Sequence, residues 1–309
     1  MQSAPDPAPR ERRLAYFALT LSTFFLALNH VISRGVHEHI PPLGLSFWRW
    51  VVGALVLLPV VLVDWRASMA VYRAQWRAFL LAGTLVVGAT TLMMVALNFT
   101  TATNTALINA VQPVLTVLLS RLVYGVAFGP VQGLGIALAF SGVLVMICQG
   151  DWRMLAGLQF AGGDLIALVA MLGFSGYAIR FVRIPHGLSA ARALFPMIVA
   201  GSLVLLPFYL VESMLIRPVP LSTTSISAIV AIALLVSCAA MLMWNTGNRL
   251  VGANRASIFI NLVPVFGVVL AVTFLGESFE RWHLAGMAMI ALGVWLVVWQ
   301  RPKRGPGRG

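Results

Sequence analysis

The chain repeats itself. Residues 98–147 read NFTTATNTALINAVQPVLTVLLSRLVYGVAFGPVQGLGIALAFSGVLVMI, and residues 249–298, shifted by 151 positions, read RLVGANRASIFINLVPVFGVVLAVTFLGESFERWHLAGMAMIALGVWLVV. Under this shift Pro113 falls on Pro264, Gly125 on Gly276, Phe128 on Phe279, Gly135 on Gly286 and Gly142 on Gly293. Each copy has an apolar segment with a proline near its middle, a short glycine-bearing turn and a second apolar segment. Glycines and prolines held at one offset mark a tandem duplication, and apolar segments of this length make it a duplicated membrane unit.

Composition agrees. Of 309 residues, 60% are hydrophobic and 10% charged, and mean hydropathy is +0.92, far outside the range of soluble domains. At about 20 apolar residues per crossing, the expected fold is an all-α integral membrane protein of ten spans. They are expected at 14–33, 43–63, 77–97, 101–123, 130–149, 163–182, 191–211, 226–247, 254–276 and 282–300. Residues 1–13 then form a disordered N-terminus, 14–149 a first five-helix repeat, 150–162 a periplasmic linker, 163–300 a second repeat, and 301–309 a basic tail. With the N-terminus inside, sixteen Lys and Arg fall on the cytoplasmic side and four outside, with Arg49 within a span. That bias places both termini in the cytoplasm, and it accounts for the net charge of +12 without nucleic acid.

Five spans is an odd number, so the second repeat enters the membrane with the opposite sense. A second match, Gly53-Ala-Leu-Val-Leu-Leu-Pro59 against Gly201-Ser-Leu-Val-Leu-Leu-Pro207, supports the pairing. Inverted repeats are the signature of secondary transporters, whose substrate site lies between the halves near the midplane. An intramembrane enzyme is disfavoured, because HExxH, a Gly-x-Ser-x-Gly elbow and paired aspartates are missing from the sequence. Cys148 and Cys238 sit in apolar runs without ligand spacing and read as packing residues; no metal or cofactor is expected. A non-transporting membrane partner protein is the other reading left open.

Four stretches carry a resemblance to a known family. They are Pro41-Pro-Leu-Gly-Leu-Ser-Phe-Trp-Arg49, the mid-span prolines Pro113 and Pro264, and Leu275-Gly276-Glu277. In these the chain resembles the drug/metabolite transporter superfamily, in its ten-helix branch built from two EamA units. It departs from that pattern at Tyr124-Gly125-Val126, where the family often has Gly-Glu, and at Met197, roughly opposite Arg49 in the second unit. Within the family it is similar to bacterial exporters of amino acids, including aromatic ones. The resemblance implies a protein of the bacterial inner membrane that exports a small-molecule substrate by alternating access; two inverted halves in one chain can form a complete pathway, so a monomer is expected. A proton-coupled exporter of drugs or other metabolites is the alternative of the same fold.

The candidate site residues follow from depth and polarity. Asn109 and Gln112 stand just before Pro113, and Asn261 just before Pro264; Thr90, Thr91, Met94, Ser175 and Tyr177 lie near mid-depth. Such amides and hydroxyls either read a zwitterion or bond helix to helix. Arg49 is a charge inside a span, so it marks either a substrate contact or a structural pair. Pro113 and Pro264 each remove a backbone hydrogen bond and are candidate hinges. Phe24 and Trp244 are candidates for an apolar wall. His30 is the one histidine placed within a span and the candidate proton site. With no carboxylate near mid-depth, transport is expected to be facilitated and gradient-driven. Gly83, Gly88, Gly133, Gly135 and Gly142 are read as allowing close helix approach, and Trp48, Trp50, Trp65, Trp76, Trp282 and Trp299 as an interfacial belt.

Overall fold

The computed structural model describes residues 8–36, 39–100, 102–126, 128–149, 151, 153–157, 162–184, 187–275 and 278–299. Among them every regular element is helical. In chain order these are α1 (Pro9–Val36), α2 (Pro42–Leu62), α3 (Trp65–Ala74), α4 (Trp76–Ala96), α5 (Ala102–Tyr124), α6 (Pro130–Ile147), α7 (Arg153–Ala156), α8 (Gly162–Phe181) and α9 (Ala190–Leu215). Next, α10 (Thr223–Ile232) runs through a π-helical segment (Ala233–Ala240) into α11 (Met241–Val251). α12 (Ala253–Ala256) runs through a 3₁₀ segment (Ser257–Asn261) into α13 (Leu262–Leu275), and α14 (Arg281–Trp299) follows.

Nine helical stretches among the described residues are long and apolar enough to cross a membrane: α2, α4, α5, α6, α8, α9, α10–α11, the stretch Ala253–Leu270, and α14. α1 packs inside the same bundle, against α11, α13 and the π segment. Its basic first turn lowers its mean hydropathy. It begins at Pro9 rather than Leu14, because Glu11 accepts a hydrogen bond from the Ala8 N–H at 3.0 Å and closes the first turn. α3 is a helix where the sequence reading has a loop. It is short and amphipathic, with Ser68 and Tyr72 buried, and the Tyr72 hydroxyl donates to the Arg192 carbonyl at 2.6 Å.

The packing is symmetric under exchange of the repeats. α6 lies against α14 and α2 against α9, each helix meeting its own counterpart. The α4–α8 contact is matched by α1–α11, and α5–α8 by α1–α13. At the α6–α14 crossing the backbones touch: a Cβ on Gly135 would sit 2.7 Å from the Gly293 carbonyl oxygen, and one on Gly142 would sit 2.6 Å from that of Gly286. Gly83 likewise lies against the Met197 backbone. Gly88 and Gly133 depart from the expectation, since nothing lies within 4 Å of the first and only the Phe128 ring, at 3.7 Å, meets the second. Trp50 departs from the interfacial belt too. It is 1% exposed, because the turn of α2 that carries it faces the bundle interior.

The two repeat-related prolines differ in effect. Pro113 sits within α5, which continues through it as one helix. Pro264, lacking an N–H to bond the Ile260 carbonyl, follows a tightened 3₁₀ turn, Ser257–Asn261. On α10–α11 the π segment loosens the helix opposite α2 and α1. There Ser22 donates to the Ala240 carbonyl at 2.9 Å.

Candidate functional site

A cavity of about 610 Å³ lies between the two repeats. It is walled by α1 from Leu26 to Ser33, the start of α2 from Pro42 to Trp50, the end of α4 from Ala89 to Leu97, and α5 from Thr105 to Gln112. Ile40, Asn98, Val143 of α6, Met171 and Phe174 of α8, Val236 of the π segment, Met241 of α11, and Ile260 to Gly267 around the 3₁₀ turn complete it. All these helices bring to it either their middle or the same end. The cavity therefore runs from mid-bundle to the end where α1 and α4 finish and α2 and α5 begin.

Of the residues picked from the sequence, Arg49, Thr90, Met94, Asn109, Gln112, Asn261 and Pro264 line this cavity together. Gln112 and Asn261 are 0% and 1% exposed, and neither the nitrogen nor the oxygen of either side-chain amide has a hydrogen-bond partner. Arg49 is 2% exposed, with Nε and Nη2 equally unpartnered and its guanidinium 5.0 Å from the centre of the Trp50 ring. Thr90 is less free, donating to the Val86 carbonyl at 2.9 Å.

The other candidates do not line the cavity. Thr91 lies 2.6 Å from the Ser46 hydroxyl and donates to the Val87 carbonyl, tying α4 to α2. Ser175 accepts from Thr116 at 3.1 Å, tying α8 to α5. Tyr177 donates to the Asn245 side chain at 2.6 Å, tying α8 to α11. Phe24 packs edge-on against Phe266, and Trp244 against Phe174, one layer behind the wall. Pro113 is buried within α5 and absent from the lining. His30 belongs to α1, but its side chain lies outside the described residues. Asn29, Asn98, Thr105 and Trp50 line the cavity without having been picked. The first three are polar and close to span ends, the signal that could have found them.

Beyond mid-bundle the opposite end is sealed. Tyr177, Phe181, Trp244, Asn245 and Asn248 are each at most 1% exposed. Asn248 donates to the Ala178 carbonyl at 2.9 Å, Arg249 to that of Leu188 at 2.8 Å, and Gln132 to that of Asn254 at 3.1 Å. The Arg183 guanidinium lies 3.6 Å above the Tyr124 ring.

Among the described residues no acid lines the cavity. Two lie near its mouth, and both are engaged. Glu212 accepts from the Leu43 and Gly44 N–H groups at 3.1 and 2.7 Å, capping α2 from α9. Asp164, in the first turn of α8, accepts from Thr100 and, at 3.0 Å, from Asn104. Cys148 and Cys238 are free thiols, and among the described residues no group of three His, Cys, Asp or Glu could hold a metal ion.

This architecture has relatives. An uncharacterized transporter YyaM of Bacillus subtilis is 28% identical over 286 residues, covering 90% of this chain and 92% of that one. A probable amino-acid metabolite efflux pump of Salmonella typhimurium is 28% identical, covering 91% and 94%. A solved crystal structure superposes with a TM-score of 0.74 at 19% identity over 94% of this chain and 96% of that one, which shows the shared fold. The relatives are bacterial and the spans many, as in a multi-pass protein of a bacterial inner membrane. The model of the EamA-like transporter family matches twice, over residues 13–148 and 161–299, so both repeats are accounted for and the chain belongs to that family.

Proposed function

We propose that this transporter exports small amphiphilic metabolites of the amino-acid class, aromatic ones included, by alternating access. The observation that carries the reading is the central cavity, placed between symmetric repeats, continuous toward one end of the bundle and sealed toward the other. Its volume suits one small organic molecule, and its unpartnered amides suit a polar head while Met94 and Phe174 suit an apolar body. The relative named as an amino-acid metabolite efflux pump favours the same class.

Taking α1 as the tenth span and counting Lys and Arg by side, the sealed end faces the cytoplasm. This conformation is then outward-facing, and export requires the seal around Tyr177 and Asn245 to open while the mouth closes. Repeats of odd span number in opposite senses supply two such conformations from one chain, so a monomer is a complete pathway. With no acid at the cavity among the described residues, transport runs down the substrate gradient.

Uptake by proteoliposomes, with and without an imposed pH gradient, tests this. The panel holds aromatic, aliphatic and charged amino acids, nucleosides and quaternary amines. Saturable amino-acid uptake that is indifferent to the gradient, and that falls in Asn109→Ala, Gln112→Leu or Asn261→Leu, is expected. Uptake only under the gradient would replace facilitated transport by proton coupling. No uptake of any compound by folded protein would overturn the reading.

A further inference from the structure

Among the described residues the charges around the cavity do not balance. Arg49 brings a full positive charge to the wall, buried to 2% exposure, with Nε and Nη2 lacking an acceptor. Among the described residues the acids near the cavity are committed elsewhere, Glu212 to the first amides of α2 and Asp164 to Thr100 and Asn104. An arginine taken out of water without a carboxylate is costly, and breaking even with that cost needs an anion with good hydrogen-bond geometry. Its planar fork is suited to a carboxylate. Gln112 and Asn261, facing the same cavity from α5 and the 3₁₀ turn, each add an unpartnered NH₂ donor. On the negative side the three residues offer only the two amide oxygens.

A zwitterion meets this wall poorly. Its carboxylate is attracted to Arg49, but its ammonium, one carbon away, is repelled by the same charge and finds only neutral acceptors among the described residues. We infer that Arg49 is an anion-binding residue and that the cavity takes molecules bearing one net negative charge on an apolar body. By chemistry these are amino acids whose ammonium has been acylated or replaced by a keto oxygen, in preference to the free amino acid or the amine. This assignment rests on the transporter reading of the same cavity.

The test measures equilibrium binding to purified protein by calorimetry, in chloride-free buffer, with four probes that share a phenyl body. They are N-acetylphenylalanine (anion), phenylalanine (zwitterion), N-acetylphenylalanine amide (neutral) and phenethylamine (cation). The anion is expected to bind at least about tenfold more tightly than the zwitterion, and the cation most weakly. Arg49→Gln is expected to erase that order, leaving the neutral probe unchanged, and Arg49→Lys to keep it. Arg49→Met is expected to leave the melting temperature of the unliganded protein unchanged or raised, since it removes an unpaired buried charge; a lowered one would make Arg49 a structural residue and overturn the inference. It is also overturned by equal binding of anion and cation, by an order that survives Arg49→Gln, by no probe binding, or by chloride alone saturating the site. Parallel uptake in proteoliposomes separates the two failures. Ordered binding without uptake would sink the transporter reading alone, whereas uptake indifferent to probe charge would sink the anion assignment alone.

Discussion

The cavity and the seal below it are built from the same residue types used differently. Gln112 and Asn261 make no side-chain hydrogen bond at all, whereas Asn245 and Asn248 at the sealed end each make one, to Tyr177 and to the Ala178 carbonyl. Each of those asparagines still keeps one idle atom, Nδ2 of Asn245 and Oδ1 of Asn248. Wholly free amides beside a cavity have donors and acceptors that no neighbouring helix uses. Half-bonded ones buried among aromatic rings hold helices together without the stability of a completed network. The alternating access proposed above requires such a seal, one that closes this end yet can be exchanged for another arrangement.

The frame of the cavity mouth should give the largest stability effect, because there the bonding is complete. Glu212→Gln replaces a charged acceptor of two backbone N–H groups by an amide that can accept with one atom only. A loss of about 1.5–3 kcal/mol is expected, read as a lower melting temperature in detergent. No change would mean that the α2–α9 contact does not depend on this cap.

Tyr177→Phe tests the seal itself. It leaves Asn245 with both amide atoms unbonded, at a cost of about 1–2 kcal/mol to the sealed conformation. That is roughly a tenfold gain in the population of the opened one. Ser257, 0% exposed on the sealed side, is a suitable reporter. Maleimide should label Ser257→Cys about tenfold faster in the Tyr177→Phe background if opening is what limits access. An unchanged rate would show that Tyr177 only packs.

Gln112→Leu should separate the two regions most cleanly. Removing two unpartnered polar atoms in favour of an apolar side chain leaves stability unchanged or raises it by up to about 1 kcal/mol. Substrate uptake should meanwhile fall severalfold. A drop in melting temperature without loss of uptake would make Gln112 part of the frame and erase its contrast with Asn245.

The fold was readable in the sequence because the bilayer demands it. Apolar segments near 20 residues and the Pro113/Pro264 register suffice for the spans and the two repeats. The local irregularities were not. Ala233–Ala240 is an ordinary apolar run, with nothing to distinguish a π-helical from an α-helical path. The two prolines share one register, yet a 3₁₀ turn forms only before Pro264. For the site, depth and polarity found Arg49, Asn109, Gln112 and Asn261, but the same criteria also picked Thr91, Ser175 and Tyr177. A polar group at mid-depth bonds a neighbouring helix or faces a cavity, according to its rotational position on the helix. That depends on which helices are neighbours, which α4–α8 and α1–α11 settle only in three dimensions.

The smallest effect is expected where the α2–α9 pair is tied at its other end. Asp64, just past α2, meets Arg192 of α9 at 2.8 Å, but the two side chains are 48% and 23% exposed. Water and salt screen such a pair, so Asp64→Asn should cost at most about 1 kcal/mol, and less in high salt. Glu212 joins the same two helices at the opposite end, 4% exposed and bonded to backbone amides. Measured side by side at two salt concentrations, Glu212→Gln should show a large, salt-insensitive loss and Asp64→Asn a small, salt-sensitive one. A large loss at Asp64 would mean that the exposed ion pair helps hold the seal. Closure of that end would then depend on charge as well as on the hydrogen bonds around Tyr177.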